Sequence, residues 1–175
     1  MATRTFSRSL SLNLKPLSDN DFKLEPEKVI VPITSYLSLG AECNAAGDTS
    51  SKGITHLLNA SISSPNIKVQ PPVKYKKIPL KDHCSENVSQ FLDEAIEFID
   101  DARRTPGGRV LVYCHAGISR SVTVTVAYLM SRDRMTFDEA YQYVKSRKKD
   151  VSPNIGFIGQ LQQLEAALRA NGNYL

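Results

Sequence analysis

The chain is 175 residues long, 41% hydrophobic and 23% charged, with 22 basic against 18 acidic residues and a net charge of +4. That length suits one domain with a real core, and the composition is ordinary for a globular chain. No run reaches the unbroken apolar length of a bilayer-spanning helix, Ala2 stands where myristoylation requires glycine, and so mild a basic excess attracts acidic or phosphorylated partners without demanding nucleic acid.

Residues 1–28 read as an N-terminal arm and residues 29–175 as one folded domain. The arm opens Ala2-Thr3-Arg4-Thr5-Phe6-Ser7-Arg8-Ser9-Leu10-Ser11 and has no acidic residue before Asp19. That composition fits a plain leader, an arm with kinase sites at Ser7 and Ser11, or a mitochondrial targeting segment over residues 1–15. From Val29 the pattern tightens. Val29-Ile30-Val31 and Tyr36-Leu37-Ser38-Leu39 predict short strands separated by Pro32 and ended by Gly40, and Ala41 to Ala46 a short helix. Further strands are predicted at Ile54 to Asn59 and Tyr75 to Leu80. From Asn87 to Arg104 the apolar positions Val88, Phe91, Leu92, Ala95, Ile96, Phe98 and Ile99 recur at helical spacing. Ser85 or Ser89 is placed to cap that helix, and Pro106-Gly107-Gly108 stops it.

Val110-Leu111-Val112-Tyr113 is a continuous apolar run, as in a central strand buried on both faces. Ser121 to Met130 is apolar nearly all round and predicts a buried helix. Phe137 to Val144 and Gly156 to Leu168 predict two closing helices. The alternation predicts an α/β or α+β fold, a central mixed sheet flanked by helices.

Between that strand and the buried helix lies Cys114-His115-Ala116-Gly117-Ile118-Ser119-Arg120-Ser121. A short loop running into a helix N-terminus turns several backbone N–H groups into one concavity, which suits a phosphate-sized anion. Gly117 lets the loop bend where a Cβ would collide. Arg120 adds a planar fork of donors for two phosphate oxygens. The same positive field favours the Cys114 thiolate, and Ser121 can donate a hydrogen bond to the sulfur. One cysteine by itself is more often an inert buried thiol. Here cysteine, glycine, arginine and two hydroxyl residues meet at one strand-to-helix junction. With Cys43 and Cys84 the chain has three cysteines, too scattered for a disulfide framework. Without a secretory signal they read as reduced thiols in a cytoplasmic or nuclear setting.

The loop resembles the active-site loop of the dual-specificity protein phosphatases, with the MAP-kinase phosphatase branch closer still. Asp82 to Phe91, Ala116 to Met130 and Val151-Ser152-Pro153-Asn154 carry the resemblance, which covers roughly residues 29 to 170. It implies a cysteine-phosphatase fold with a strand–phosphate loop–helix active site. It also implies a two-step reaction: Cys114 attacks phosphorus to give a phosphocysteine, and an aspartic acid protonates the leaving oxygen and then activates the hydrolytic water. Arg120 and the backbone N–H groups of His115, Ala116, Gly117, Ile118 and Ser119 would hold the phosphoryl oxygens, and no metal or other cofactor is required.

Spacing alone leaves Asp82, Glu86, Asp93 and Glu94 as candidate acids. Asp82 precedes the long helix on a loop, where the family places its acid, so the resemblance assigns it that role. Asn154 resembles a family position that buttresses the active-site loops, and reads equally as a helix cap. Tyr113 is a departure, because a histidine usually precedes the nucleophile in the family. His83-Cys84 with Cys114-His115 invites a zinc reading, but metal-ligand spacings are missing. An oxidative Cys84–Cys114 disulfide is a further idea.

The implied partner is a phosphorylated protein, a MAP kinase by resemblance, with no nucleic acid and no membrane. A shallow pocket would admit phosphoserine and phosphothreonine beside phosphotyrosine. MAP-kinase phosphatases also carry a separate docking domain that residues 1–28 cannot supply, so the chain reads as a catalytic fragment or a small relative. The rivals are a lipid or glycan phosphatase using the same loop, although Ala116 and Ile118 are neutral there, and a phosphoprotein-binding module or scaffold without turnover.

Overall fold

The computed structural model describes residues 29–172 apart from Asp48, Ser50 and Gln70, and the arm of residues 1–28 lies outside the described residues. In chain order the elements are β1 (Val31–Pro32), β2 (Leu37–Ala41), α1 (Glu42–Ala46), β3 (His56–Asn59), β4 (Lys74–Lys77), α2 (Ser89–Arg104), β5 (Val110–Cys114), α3 (Arg120–Asp133), α4 (Phe137–Arg147) and α5 (Ile155–Ala170). The sheet order is β1-β2-β5-β3-β4. β1 pairs antiparallel with β2, whereas β2, β5, β3 and β4 run parallel. The predicted central mixed sheet is therefore present, and the apolar run ending at Cys114 is its middle strand.

β5 is buried at all five positions, and the sheet pleat splits its side chains between two clusters. Val110, Val112 and Cys114 face the main core with α2, α3, α4 and α5. Leu111 and Tyr113 face a smaller cluster with Ala45 of α1, Ile54 and Leu57. Helices thus lie on both faces, unequally. Pro32, expected to separate two strands, instead pairs with Ser38 inside β1. A proline is admitted because β1 is the sheet edge, where its missing N–H breaks no ladder. Among the described residues no helix is long and apolar enough to cross a membrane.

α3 carries Val122-Thr123-Val124-Thr125-Val126, a run of β-branched residues that each cost a helix up to about 0.7 kcal/mol relative to alanine. Every residue from Arg120 to Met130 is buried, however. Burying each valine is worth roughly 1.5–3 kcal/mol, so packing decides the conformation. On its flank Tyr128 Oη donates to Asp100 Oδ1 at 2.9 Å and Arg132 Nε to Asp100 Oδ2 at 2.6 Å, tying α3 to α2.

The start of α2 is not capped by Ser85 or Ser89. Its N-cap is Val88 and makes no side-chain cap. The acceptor comes from α5 instead: Gln160 Oε1 takes the N–H of Val88 at 2.9 Å and of Ser89 at 3.3 Å.

Candidate active site

All the parallel strands end on one rim of the sheet, where loops of such sheets gather ligand-binding groups. Cys114, 1% exposed, is the last residue of β5, and Arg120 is the first of α3. Gly117 has φ +72°, a conformation that L side chains rarely adopt, and a Cβ there would stand 2.7 Å from the Gly40 carbonyl oxygen. The glycine thus lets the loop close over the end of β2.

Inside the loop, Sγ of Cys114 receives the Gly117 N–H at 3.3 Å and lies 3.2 Å from Ser121 Oγ. Arg120 is only 7% exposed. Its Nη1 donates to Ser61 Oγ, to the Leu80 carbonyl at 3.4 Å and to Ser63 Oγ at 3.5 Å. Its Nε is buried with no hydrogen-bond partner among the described residues and lies 3.5 Å from Asp82 Oδ2. Nε thus faces a carboxylate at ion-pair distance without a directed hydrogen bond.

Of the candidate acids, Asp82 is the one joined to the loop. Its Oδ1 accepts from Ser119 Oγ at 2.7 Å and from Asn154 Nδ2 at 3.0 Å. Glu94 instead pairs with Lys76 at 2.6 Å, out on the helix. Asn154 also caps α5, its Oδ1 accepting the Phe157 N–H at 3.0 Å. The Asp82 segment is pressed against α5: a Cβ on Gly156 would fall 1.9 Å from the Cys84 carbonyl oxygen.

Ser119 and His115, both expected to line the phosphate site, turn their side chains elsewhere. Ser119 Oγ bonds Asp82 and accepts the Asn154 N–H at 3.3 Å. His115 Nδ1 meets Glu42 Oε2 at 3.0 Å. Burial would raise the Glu42 carboxyl, but hydrogen bonds from His115 and Ser64 hold it below its ordinary value. Ala116 and Ile118 are half-buried. Tyr113 is fully buried; desolvation first, then the neighbouring Tyr75, pushes its phenol far above the ordinary range. Tyr75 stands beside the Tyr113 hydroxyl, which meets no hydrogen-bond geometry among the described residues. Cys84 is an exposed thiol and Cys114 a buried one. Among the described residues no group of three or more His, Cys, Asp or Glu side chains is placed to hold a metal.

Sequence reasoning missed Ser61, Ser63, Ser64 and Glu42. Their one signal is position, just after the C-terminal ends of β2 and β3, where Glu42 opens α1 and the serines lie on a loop.

A thiol ending the central strand, a glycine-bent loop and a buried arginine opening the next helix define the cysteine-phosphatase class. The chain belongs to the dual specificity phosphatase family: the family model described as "Dual specificity phosphatase, catalytic domain" matches residues 36–167. Human dual specificity protein phosphatase 7 is 48% identical over 141 residues, covering 79% of this chain and 33% of that protein. Human dual specificity protein phosphatase 6 is 51% identical over 117 residues, covering 66% and 30%. The chain thus spans about a third of the length of these curated relatives. Among solved structures, a mouse putative dual specificity phosphatase complexed with zinc tungstate superposes with a TM-score of 0.75 at 35% identity, covering 82% of this chain and 90% of that one. Human tyrosine phosphatase-like serine/threonine/tyrosine-interacting protein does so with a TM-score of 0.73 at 32% identity, covering 80% and 97%.

Proposed function

We propose that this chain hydrolyses phosphotyrosine and phosphoserine or phosphothreonine in proteins, with a MAP kinase as substrate class, through a phosphocysteine intermediate. The observation that carries this reading is the Cys114 sulfur, bonded by the Gly117 N–H and beside Ser121, in a loop closed by a buried guanidinium whose Nε faces the Asp82 carboxylate at 3.5 Å. Residues 29–175 act as the catalytic domain and residues 1–28 as its arm.

In the first step the Cys114 thiolate attacks phosphorus, the S–P bond forms, and the bond to the seryl, threonyl or tyrosyl oxygen breaks. Asp82 gives its proton to that oxygen. Arg120 and the loop N–H groups meet the charge on the equatorial oxygens, which a preorganised site does without reorganisation. In the second step water attacks the phosphocysteine, Asp82 takes its proton, phosphate leaves, and Ser121 donates to the departing sulfur. Ser119 and Asn154 hold the Asp82 carboxyl toward the loop.

The 48% and 51% identity to dual specificity protein phosphatases 7 and 6 supports a phosphoprotein substrate. Three free thiols suit the cytoplasm or nucleus. The test is Cys114→Ser. It should abolish hydrolysis of p-nitrophenyl phosphate and of phosphopeptides while still retaining phosphorylated protein from extract. Unchanged hydrolysis, or a parent protein that binds phosphoprotein without turnover, would reject the proposal in favour of a binding module.

A further inference from the structure

Glu42 belongs to none of the groups that the proposed chemistry uses, yet it ties together the rim around them. Its main-chain N–H donates to the His115 carbonyl at 3.3 Å, and its Oε2 meets His115 Nδ1 at 3.0 Å. It therefore grips the residue after Cys114 by both main chain and side chain. The same Oε2 accepts from Ser64 Oγ at 2.8 Å. Ser64 closes a small turn: its N–H donates to Ser61 Oγ at 3.3 Å, and Ser61 Oγ lies 3.0 Å from Ser63 Oγ. Ser61 and Ser63 are the hydroxyls that receive Arg120 Nη1. Lys77 Nζ fastens the turn from β4 by donating to the Ser64 carbonyl at 2.9 Å.

One carboxylate thus reaches both ends of the phosphate loop, directly at His115 and through the serine turn at Arg120. A negative charge beside a site built for a phosphate dianion weakens anion binding by simple repulsion. Its presence there is accounted for by what it holds. We propose that Glu42 is a positioning residue that sets the first turn of the phosphate loop and the seat of the Arg120 guanidinium. The inference rests on the phosphatase reading of the site. A preorganised loop matters most when charge spreads over the equatorial oxygens, so the effect falls on the transition state more than on the bound substrate.

The experiment compares the parent with Glu42→Ala, Glu42→Gln and Ser64→Ala. Readouts are kcat and KM for p-nitrophenyl phosphate, the inhibition constant of vanadate, and the thermal midpoint. Glu42→Ala should lower kcat and weaken vanadate roughly ten-fold, the effect of one lost charge-assisted hydrogen bond. KM should not rise, since a repelling charge has gone. Glu42→Gln keeps an acceptor oxygen and should restore kcat to within about three-fold of the parent. Ser64→Ala removes one donor from the hub, empties little space, and should fall between the two. It also carries the test if Glu42→Ala does not fold. Parent-like kcat and vanadate inhibition in both Glu42→Ala and Ser64→Ala would overturn the proposal. So would a loss in which Gln is no better than Ala and activity follows the thermal midpoint. A parent that hydrolyses nothing would reject the phosphatase reading instead, a result seen before any variant is made.

Discussion

Ser119 Oγ donates to Asp82 Oδ1 at 2.7 Å and at the same time accepts the Asn154 N–H at 3.3 Å. One hydroxyl, 6% exposed, therefore links the phosphate loop, the segment carrying the proposed acid and the start of α5.

Removing that hydroxyl should loosen the acid without touching the nucleophile. Ser119→Ala is expected to lower kcat/KM, which reports the first step alone, about ten-fold for phenyl phosphate, whose leaving oxygen needs a proton, and less than about three-fold for p-nitrophenyl phosphate, which leaves without one. Asp82→Asn should show the same leaving-group dependence at roughly hundred-fold for phenyl phosphate. Equal losses on both substrates would assign Ser119 to the fold rather than to the acid.

Ser121 stands 3.2 Å from the Cys114 sulfur and is fully buried. If its hydroxyl helps the sulfur depart, Ser121→Ala slows the second step more than the first. Rapid mixing should then show a burst of product close to one per enzyme, followed by turnover about ten-fold slower than the parent's. Mass spectrometry of the quenched protein should find the phosphoryl group on Cys114. A slow reaction without burst or adduct would remove Ser121 from the second step.

The Tyr113 hydroxyl is buried and meets no hydrogen-bond partner among the described residues. Such a group costs about 1–3 kcal/mol, so Tyr113→Phe, which keeps the ring and deletes the oxygen, should unfold at the same denaturant concentration or up to about 1 kcal/mol later. A loss of more than about 1 kcal/mol would mean that the hydroxyl has a partner in solution.

Asp101 is held below the ordinary carboxylate range, first by its hydrogen bond from Lys74 and then by that from His56. A depressed folded value means that the stabilisation is present above the unfolded carboxyl's titration and is lost as pH falls through the folded one. Asp101→Asn should therefore melt below the parent near neutrality, and the gap should close on acidification below about pH 4. The Lys74 ammonium is 55% exposed, so the gap should be small and shrink with salt. A constant gap from neutral to acid pH would assign the effect to packing.

What the sequence made legible was contiguous. Cys114, Gly117, Arg120 and Ser121 lie within one loop and its helix, so their meeting at one junction follows from spacing and from the apolar run before them. Asp82 needed the family resemblance, because spacing leaves four candidate carboxylates before the loop and does not choose among them. Pro32 reads as a break in the sequence, since only the folded order of the strands shows that β1 is the sheet edge. Ser61, Ser63, Glu42 and Gln160 carry no local chemical signal, because each acts on a residue far along the chain. Gln160 is a plain polar residue of a helix until α2 is folded beneath it.

The contacts of α5 make the last helix a splint for the segment that carries Asp82. Asn154 holds the segment at its start, Gly156 presses on the Cys84 carbonyl in the middle, and Gln160 Nε2 donates to the Glu86 carbonyl at 2.8 Å near its end. Fraying at the C-terminal side of the domain is thereby transmitted to the opposite wall of the phosphate loop. Heat or truncation that peels α5 away should dissolve the seat of the proposed acid while the thiol and guanidinium stay in register, so that vanadate binding outlives the proposed hydrolysis.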